Sequence, residues 1–257
     1  MDNLDRAAEL LLNASRVVCF SGAGISEASG IPTYQHNLTG LWSGLDPRTL
    51  ETANAYRENP KLVWGWYLWR RRKVLLAQPN AAHLALPALA GLGREVSVIT
   101  QNIDDLHERA GSKDVLHLHG NLTTPKCFAC HRQSELTSDD LSIPDEGALI
   151  EPPRCKRCNG KLRPGVVWYG EDLPTGVWKS ALLLVQSCDV FISIGTSGTV
   201  TPAADLPGIA LSAGAKVIHI NTVDVSLGEP NELMLVGRAA DILTKLSALA
   251  LSKVHPS

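Results

Sequence analysis

The sequence predicts an α/β fold, in which helices cover both faces of a parallel β-sheet and a smaller module is inserted. Short apolar runs rich in β-branched residues alternate with helical stretches along most of the 257 residues. Two stretches, 36–80 and 123–162, break this alternation. The first is helical and rich in Trp and Arg, whereas the second contains four cysteines and shows little periodicity. These two stretches predict the inserted module.

Five segments have the character of strands, and each ends in a small polar cluster. They are RVVCFSGAGIS (16–26), EVSVITQNID (95–104), DVLHLHGN (114–121), CDVFISIGTSGTV (188–200) and AKVIHINTVD (215–224). Helical stretches at 4–14, 81–92, 179–186 and 239–252 separate them. Because parallel strands present their carboxyl ends at one edge of a sheet, the five clusters predict a ligand site at that edge. A glycine-rich turn such as GAGIS suits a phosphate there, although it is also typical of an ordinary tight turn.

Composition restricts the class of function. The chain is 44% hydrophobic and 19% charged, with a net charge of −2 and a pI near 6.4, so a dedicated nucleic-acid binder is not expected. It contains no run of about 18 apolar residues, which argues against a membrane partner. The N-terminus includes Asp2, Asp5 and Glu9, unlike a signal or transit peptide. We therefore expect a cytoplasmic protein.

The six cysteines divide into two kinds. Cys19 and Cys188 lie singly in apolar surroundings, as expected of small buried side chains. The other four form two CxxC knuckles, whose spacing is typical of a tetrahedral zinc site; they are Cys127, Cys130, Cys155 and Cys158. Disulfides are the alternative, but they fit poorly with a chain that has no export signal. Four thiolates leave no open coordination position, so the predicted zinc is structural.

Several motifs occur together in one order along the chain. They are GAGISEASGIP (22–32), TQNIDDLHERAG (100–111), HLHGN (117–121), the paired knuckles, VVWYGEDLP (166–174), GTS (195–197) and IN (220–221). In this order the chain resembles the NAD-dependent protein deacylases called sirtuins, over nearly its whole length. The resemblance implies removal of an acyl group from a protein lysine, with NAD consumed as cosubstrate and nicotinamide and O-acyl-ADP-ribose released. It also implies acyl-lysine proteins or peptides as partners of a monomeric enzyme.

The resemblance further implies a division into domains. A Rossmann-like NAD-binding domain would comprise 1–35, 81–122 and 163–257. The small domain would consist of a helical part, 36–80, and a zinc-ribbon part, 123–162. NAD and the acyl-lysine would meet in the cleft between the two domains.

Roles for individual residues follow from motif positions. His119 of HGN would be the base that helps a ribose hydroxyl attack the acyl group, a task that suits a side chain with an ordinary pKa of about 6.5. His117 lies two residues earlier on the same face, and only the motif distinguishes the two. A histidine merely satisfied within a sheet is the alternative for either. The implied cofactor-binding residues are Gly22, Ala23, Gly24, Ile25, Glu27, Tyr34, Gln35, Gln101, Asn102, Ile103, Asp104, Gly195, Thr196, Ser197, Asn221, Thr222 and Ala239.

The sequence departs from the family pattern after GIP. Sirtuins usually have Phe-Arg there, and this chain has Tyr34 and Gln35 after Thr33. The aromatic ring is retained, but a cation near the cofactor phosphates is lost. One such contact is typically worth about 1.5–3 kcal/mol, so weaker NAD binding or slower turnover is expected. Two smaller departures are Thr201 before PAA and the position of the acid after IN, Asp224.

Substrate recognition is expected from two segments. VVWYGE, with Val167, Trp168 and Tyr169, would pair with the substrate peptide as an added strand, with Trp168 along the acyl-lysine tunnel. In WGWYLWRRRKVLL (64–76), Tyr67 and Arg70 stand three apart on one helical face. They match the Tyr-x-x-Arg signature of sirtuins that prefer succinyl, malonyl or glutaryl groups. Arg71, Arg72 and Lys73 are expected to face solvent, and the tryptophans to pack.

Each of these features also has an alternative interpretation as an ordinary structural feature. Trp168 could be ordinary core, the polar clusters could be mere caps, and Tyr-x-x-Arg could lie on a solvated face. Among functions, the alternatives are protein mono-ADP-ribosyl transfer, NAD hydrolysis, or a catalytically weak NAD-binding sensor module.

Overall fold

The computed structural model describes residues 2–31, 40–136 and 142–254. Their strands, in chain order, are β1 (Arg16–Ser21), β2 (Glu95–Thr100), β3 (Leu116–His117), β4 (Lys126–Cys127), β5 (Leu162–Arg163), β6 (Val190–Ile194), β7 (Lys216–Asn221) and β8 (Glu232–Val236). Six of them form one parallel sheet in the order β3-β2-β1-β6-β7-β8, and β4 pairs antiparallel with β5. From β1 the chain adds strands toward one edge of the large sheet, and from β6 it adds them toward the other edge. The strand order therefore reverses between β1 and β6, although the two strands are parallel.

Helices cover both faces of this sheet. The helices of the described residues, in chain order, are α1 (Asn3–Asn13), α2 (Pro47–Leu50), α3 (Ala53–Glu58), α4 (Pro60–Leu76), α5 (Ala81–Leu89), α6 (Leu106–Arg109), α7 (Thr175–Ser187), α8 (Leu206–Ser212) and α9 (Ala239–Val254). Of these, α1, α5 and α9 lie on one face of the sheet and α7 and α8 on the other. The predicted α/β class with a parallel sheet is confirmed. The stretches predicted to be helical at 4–14, 81–92, 179–186 and 239–252 correspond to α1, α5, α7 and α9. None of the helices in the described ranges is both long and apolar enough to cross a bilayer.

Strand β1 shows how the sheet divides the core. Val17 and Cys19 face one way and pack with α1, α5 and α9, whereas Val18 and Phe20 face the other way and pack with α7 and α8. This is the two-residue period of a strand buried on both faces, which reads in sequence as a continuous apolar run. Each such side chain contributes about 1.5–3 kcal/mol by leaving water. The buried run is why the sequence located β1 correctly.

A second core lies outside the large sheet, around α4. Three of its tryptophans, Trp64, Trp66 and Trp69, are buried as predicted. They pack with residues from both 40–76 and 122–168, including the ring of Trp168. This second core is consistent with an inserted module built from two stretches of chain, while its predicted boundaries at 35, 80, 122 and 162 stay predictions.

The segment 143–150 lies against α4. Trp69 Nε1 donates a hydrogen bond to the carbonyl of Asp145 at 3.0 Å. A Cβ at Gly65 would lie only 1.9 Å from the carbonyl oxygen of Ala148, so no larger residue fits there. The prediction that the basic run faces solvent is wrong for Arg72, which pairs with Asp145 at 3.0 Å. Arg71 and Lys73 are also only partly exposed, because the covering segment and neighbouring rings lie against them.

Two other sequence predictions were incomplete. Strand β8 was not predicted, since its ELMLV run lacks the polar exit that marked the other strands. GAGIS itself contains a three-residue 3₁₀ turn, Ala23–Ile25, and a second one, Glu27–Ser29, follows it in place of an α-helix. The chain therefore offers a tight loop at this position and no long helix dipole.

Candidate functional site

The loops after β1 and β6 touch each other where the strand order reverses. Gly22 N donates to the carbonyl of Ile194 and Gly24 N to that of Gly195, both at 2.9 Å. A Cβ at Gly22 or at Gly24 would lie 2.8 Å from a backbone atom of Gly195. Gly195 itself has φ +57°, the left-handed region. These glycines are required because two backbones approach each other directly, a reason that the sequence did not disclose.

A buried polar network supports the same loops from below. Asn102 Nδ2 donates to the carbonyl of Gly22 at 3.1 Å and to Ser26 Oγ at 3.2 Å. Ser26 Oγ in turn donates to Asp104 Oδ2 at 3.0 Å. Burial raises the pKa of Asp104, while hydrogen bonds from Leu106 N and Ser26 act in the opposite direction. The network fixes the QNID and GAGIS loops relative to each other.

His83, on α5, completes this network. Its Nδ1 accepts from Asn80 N at 3.3 Å, so its Nε2–H is the donor toward Ser26 Oγ at 3.4 Å. Asn80 also donates from Nδ2 to the carbonyl of Ile25 at 2.8 Å. The N-terminus of α5 therefore positions the glycine-rich turn through side-chain hydrogen bonds.

His119 and His117 differ in what their ring nitrogens contact. His119 Nδ1 lies 3.0 Å from the carbonyl of Gln101, which can only accept, so Nδ1 carries the proton and Nε2 is the ring's acceptor. Burial lowers the pKa of His119, partly offset by that hydrogen bond. His119 is therefore neutral near pH 7 and can take up a proton.

His117 has both nitrogens engaged. Nδ1 lies 3.0 Å from the carbonyl of Asn102, and Nε2 lies 2.7 Å from Glu108 Oε1. Burial acts to lower the pKa of His117, but the hydrogen bond and charge of Glu108 raise it above its ordinary value. Both ring nitrogens of His117 therefore face acceptors within the chain, so neither is available to a substrate in this arrangement.

The predicted cofactor-binding residues of the GTS and IN motifs lie in the loops after β6 and β7, beside Gln101. Gln101 Nε2 donates to Thr196 Oγ1 at 3.0 Å, and Asn221 Nδ2 donates to the carbonyl of Thr196 at 2.8 Å. Ser197 and Thr222 are exposed beside them, and Ala239 is the buried first residue of α9. Glu27 begins the second 3₁₀ turn. The GTS and IN clusters thus meet at one edge of the sheet, as predicted.

A cavity of about 510 Å³ lies between this edge and the second core. The predicted site residues that line it are Ala23, Tyr67, Arg70, Gln101, Asn102, Ile103, Asp104, His119, Val167, Trp168 and Tyr169. Gly22, Gly24, Ile25, Glu27, Gly195, Thr196, Ser197, Asn221, Thr222 and Ala239 do not line it, and they lie in or next to the sheet-edge loops. Tyr34 and Gln35 lie outside the described residues.

Trp168 forms one wall of the cavity and is also core. Its side chain is 1% exposed, and its Nε1 donates to the hydroxyl of Tyr67 at 3.0 Å. The buried guanidinium of Arg163 lies 3.3 Å above its ring centroid, and Glu171 pairs with Arg163. Glu171 Oε2 also accepts from Trp168 N at 3.0 Å. The two readings of Trp168, tunnel wall and core residue, are therefore compatible.

The extended segment around Trp168 uses alternate amides within the chain. Val167 N donates to the carbonyl of His119 at 2.8 Å, and Tyr169 N donates to that of Glu51 at 2.9 Å. These bonds connect His119, the cavity wall and the turn before α3.

Arg70 and Tyr67 project into the cavity from α4. The Arg70 guanidinium forms an ion pair with Glu51 and lies 5.7 Å from the ring centroid of Tyr67. Sequence reasoning located Arg70 and Tyr67 but missed Glu51, which follows α2. It also missed Ser26, Arg163 and Glu171. Ser26 stands inside the GAGIS motif and Glu171 inside VVWYGEDLP, whereas Glu51 and Arg163 belong to no motif and are recognisable only from their contacts.

The four knuckle cysteines converge on one point. Their sulfur atoms all lie within 4.8 Å of one another, with 3.4 Å between Cys127 and Cys158 and 3.9 Å between Cys130 and Cys155. A tetrahedral ion with Zn–S bonds of about 2.3 Å needs sulfurs about 3.8 Å apart, so the cluster fits zinc. A Cβ at Gly160 would lie 3.1 Å from Cys127 Sγ, so glycine keeps the site open. Each knuckle is followed by a left-handed residue, His131 or Asn159, both at φ +58°.

Together these features define a class. A parallel sheet whose strand order reverses between two glycine-rich loops is a Rossmann-like dinucleotide-binding fold, and here it carries a four-cysteine metal module. The Sir2 family model matches residues 22–202. The chain belongs to the Sir2 family.

Individual relatives agree with this assignment. NAD-dependent protein deacylase 4 of Pseudomonas syringae pv. tomato is 71% identical over 239 residues, covering 93% of each protein. The crystal structure of a Sir2 homolog–NAD complex has a TM-score of 0.88 at 39% identity, covering 99% of this chain and 95% of that one. The structure of Sir2Af2 bound to a myristoylated histone peptide has a TM-score of 0.76 at 31% identity, covering 98% of both chains.

Proposed function

We propose that the protein is an NAD-dependent protein-lysine deacylase that produces nicotinamide and O-acyl-ADP-ribose. The observation that carries the proposal is a neutral histidine, His119, whose Nε2 is its acceptor and which lines the same cavity as Trp168 and Arg70. Relatives named NAD-dependent protein deacylase and a neighbour that binds an acylated peptide support it. The monomeric state and cytoplasmic location stay predictions.

The loops at the sheet edge fit NAD. A tight glycine turn, the buried amide of Asn102 and the carboxyl of Asp104 stand together at the point where doubly wound sheets bind dinucleotides. NAD, when bound, supplies the activated ribose that accepts the acyl oxygen. Gln101, Asn102 and Asp104 would bind the ribose and nicotinamide end, and Gly195 to Ser197 with Asn221 the adenosine end. On sequence grounds alone, Tyr34 is proposed to screen the reactive ribose carbon from returning nicotinamide, and Gln35 to lie near the phosphates.

His119 would remove a proton from a ribose hydroxyl through Nε2. Its Nδ1–H keeps the hydrogen bond to Gln101, so the positive charge that forms on the ring is stabilised by a carbonyl dipole. The backbone carbonyl of His119 meanwhile accepts from Val167 N, which ties the position of the base to the wall beside the acyl group. The loop after β3, which carries His119, would thus position both the base and the substrate-binding segment.

A His119→Ala variant tests the activity. Loss of a general base typically lowers rate by about 10²–10⁴-fold, and we expect that range for lysine deacylation. The measurement is nicotinamide release and peptide deacylation with and without an acylated peptide. In the wild type the peptide should accelerate nicotinamide release, whereas a hydrolase or sensor would show no acceleration. Deacylation by His119→Ala at the wild-type rate would contradict the mechanism.

We further propose that acidic acyl groups, succinyl, malonyl or glutaryl, are favoured over acetyl, which is also removed. Arg70 and the Tyr67 hydroxyl line the cavity, and a guanidinium with a phenol can bind a carboxylate through charge-assisted hydrogen bonds. The tunnel wall beside them, Trp168, is apolar. The Tyr-x-x-Arg spacing and this shared cavity support the proposal.

Arg70→Met tests this preference. Losing one charge-assisted contact worth about 1.5–3 kcal/mol should lower desuccinylation by roughly 10- to 150-fold, with deacetylation changed far less. The measurement is kcat/KM on succinyl- and acetyl-lysine peptides of one sequence. Arg72→Met is a matched control, because Arg72 lies on the same helix but pairs with Asp145 away from the cavity. Equal losses on both peptides would rule out the assignment.

A further inference from the structure

Arg70, which is proposed to bind a substrate carboxylate, already has a carboxylate partner within the chain. Arg70 Nη1 is hydrogen-bonded to Glu51 Oε1 in a direct ion pair. The side chains are 20% and 9% exposed, so both charges are largely removed from water. Glu51 also lines the cavity together with Tyr67 and Trp168. A second carboxylate therefore stands where an acidic acyl group would place its own.

The backbone fixes Glu51 at this position. Its carbonyl accepts from Tyr169 N at 2.9 Å, within the cavity-wall segment. The next residue, Thr52, caps α3 by accepting from Ala55 N at 3.0 Å through its hydroxyl. With its own carbonyl and the following residue both hydrogen-bonded, Glu51 extends its side chain from an anchored turn. The ion pair is consequently a built part of the pocket.

We propose that Glu51 is a specificity-determining residue that occupies the carboxylate subsite of Arg70 in competition with the substrate. The inference rests on the proposed deacylase function. An acidic acyl group must displace Glu51 from Arg70 or share the guanidinium with it, and two carboxylates close together repel strongly when they are shielded from water. A neutral acyl group needs no cation and leaves the pair intact.

Glu51 and Arg70 therefore act on selectivity in opposite directions. Arg70 attracts an acidic acyl group, and Glu51 is the repulsive element that lowers the advantage such a group gains. The net preference of the enzyme is the difference between the two effects. Sequence motifs that contain Arg70 alone overstate the preference for acidic acyl groups in this chain.

The test compares Glu51→Gln and Glu51→Ala with the wild type on succinyl- and acetyl-lysine peptides of one sequence. We expect the ratio of kcat/KM for desuccinylation to that for deacetylation to rise at least tenfold in both variants. The rise should vanish in Glu51→Gln combined with Arg70→Met, because Glu51 acts through Arg70. Glu58→Gln, an exposed glutamate on α3, is the matched control and should leave the ratio unchanged.

An unchanged ratio in both Glu51 variants would overturn the inference, as would an equal rise in the double variant. Peptide binding measured by quenching of tryptophan fluorescence provides a second readout that does not require turnover, since Trp66 and Trp168 line the cavity. If neither peptide is deacylated by any form, the proposed function fails. The succinyl-to-acetyl binding ratio then still decides the role of Glu51, with the same tenfold rise expected and no change overturning it.

Discussion

At the scale of single residues, two buried histidines contact each other close to the end of β1 and the GAGIS turn. The ring centroids of His83 and His107 are 5.1 Å apart. Burial lowers the pKa of His83 to about 3, with the nearby His107 adding to the effect, and burial lowers the pKa of His107 to about 4. Both are therefore neutral in the folded protein at any pH above about 5.

These two residues make stability depend on pH. In the unfolded chain a histidine binds a proton near pH 6.5, whereas in the folded protein it does so only near pH 3–4. Their contribution is thus fully present above about pH 6.5 and is lost as the pH falls toward the folded values. By linkage each histidine should lower the free energy of unfolding by about 2 kcal/mol between pH 7 and pH 5.

Urea unfolding at pH 7 and pH 5 measures this loss. His107→Gln should reduce the difference in unfolding free energy between the two pH values by about 2 kcal/mol, whatever it does to absolute stability. Adding His83→Gln should reduce the difference again. Variants that retain the wild-type pH dependence would show that these histidines are already protonated in the folded state.

At the scale of elements, the metal module has very little secondary structure of its own. Strands β4 and β5 are two residues each, far too short to be stable alone. Two of the four cysteines, Cys127 and Cys155, belong to the second core with Leu162 and Trp168. A zinc ion held by the four cysteines would therefore stabilise one wall of the cavity, although the cysteines themselves do not line it.

Cys155→Ser tests this coupling. We expect loss of the bound zinc, a lower melting temperature and a large loss of deacylation, because Trp168 loses support on its ribbon side. Metal content, thermal unfolding and peptide deacylation are the measurements. Cys188→Ala is the matched control, since Cys188 is a buried cysteine packed against the large sheet. Full activity of zinc-free Cys155→Ser would show that the cavity does not depend on the metal site.

At the scale of the whole molecule, the sequence revealed whatever depends on local pattern. Buried apolar runs such as β1, knuckle spacing and motif order were sufficient to predict the fold class, the four-cysteine cluster and several of the cavity-lining residues. Periodicity and spacing are properties of short segments, so they can be recognised in the sequence without the three-dimensional structure.

What the sequence concealed is long-range pairing between residues with no shared motif. The Arg70–Glu51 pair joins α4 to the turn after α2, and Trp168 Nε1 reaches the hydroxyl of Tyr67, 101 residues earlier in the chain. The strand order, with β1 next to β6, likewise depends on contacts between segments about 170 residues apart. Nor did composition distinguish His119 from His117, because only the hydrogen-bond partners of each ring do so.

The cover that 143–150 provides for α4 has a consequence for biosynthesis. Trp64, Trp66 and Trp69 leave the ribosome well before the residues that cover them, and at about 5–20 residues per second the delay lasts several seconds. During that interval Trp42 and the residues before α4 are already available to pack on the helix, but the apolar surface that 143–150 covers is still exposed. Its protection from aggregation then depends on how quickly translation delivers the second half of its core.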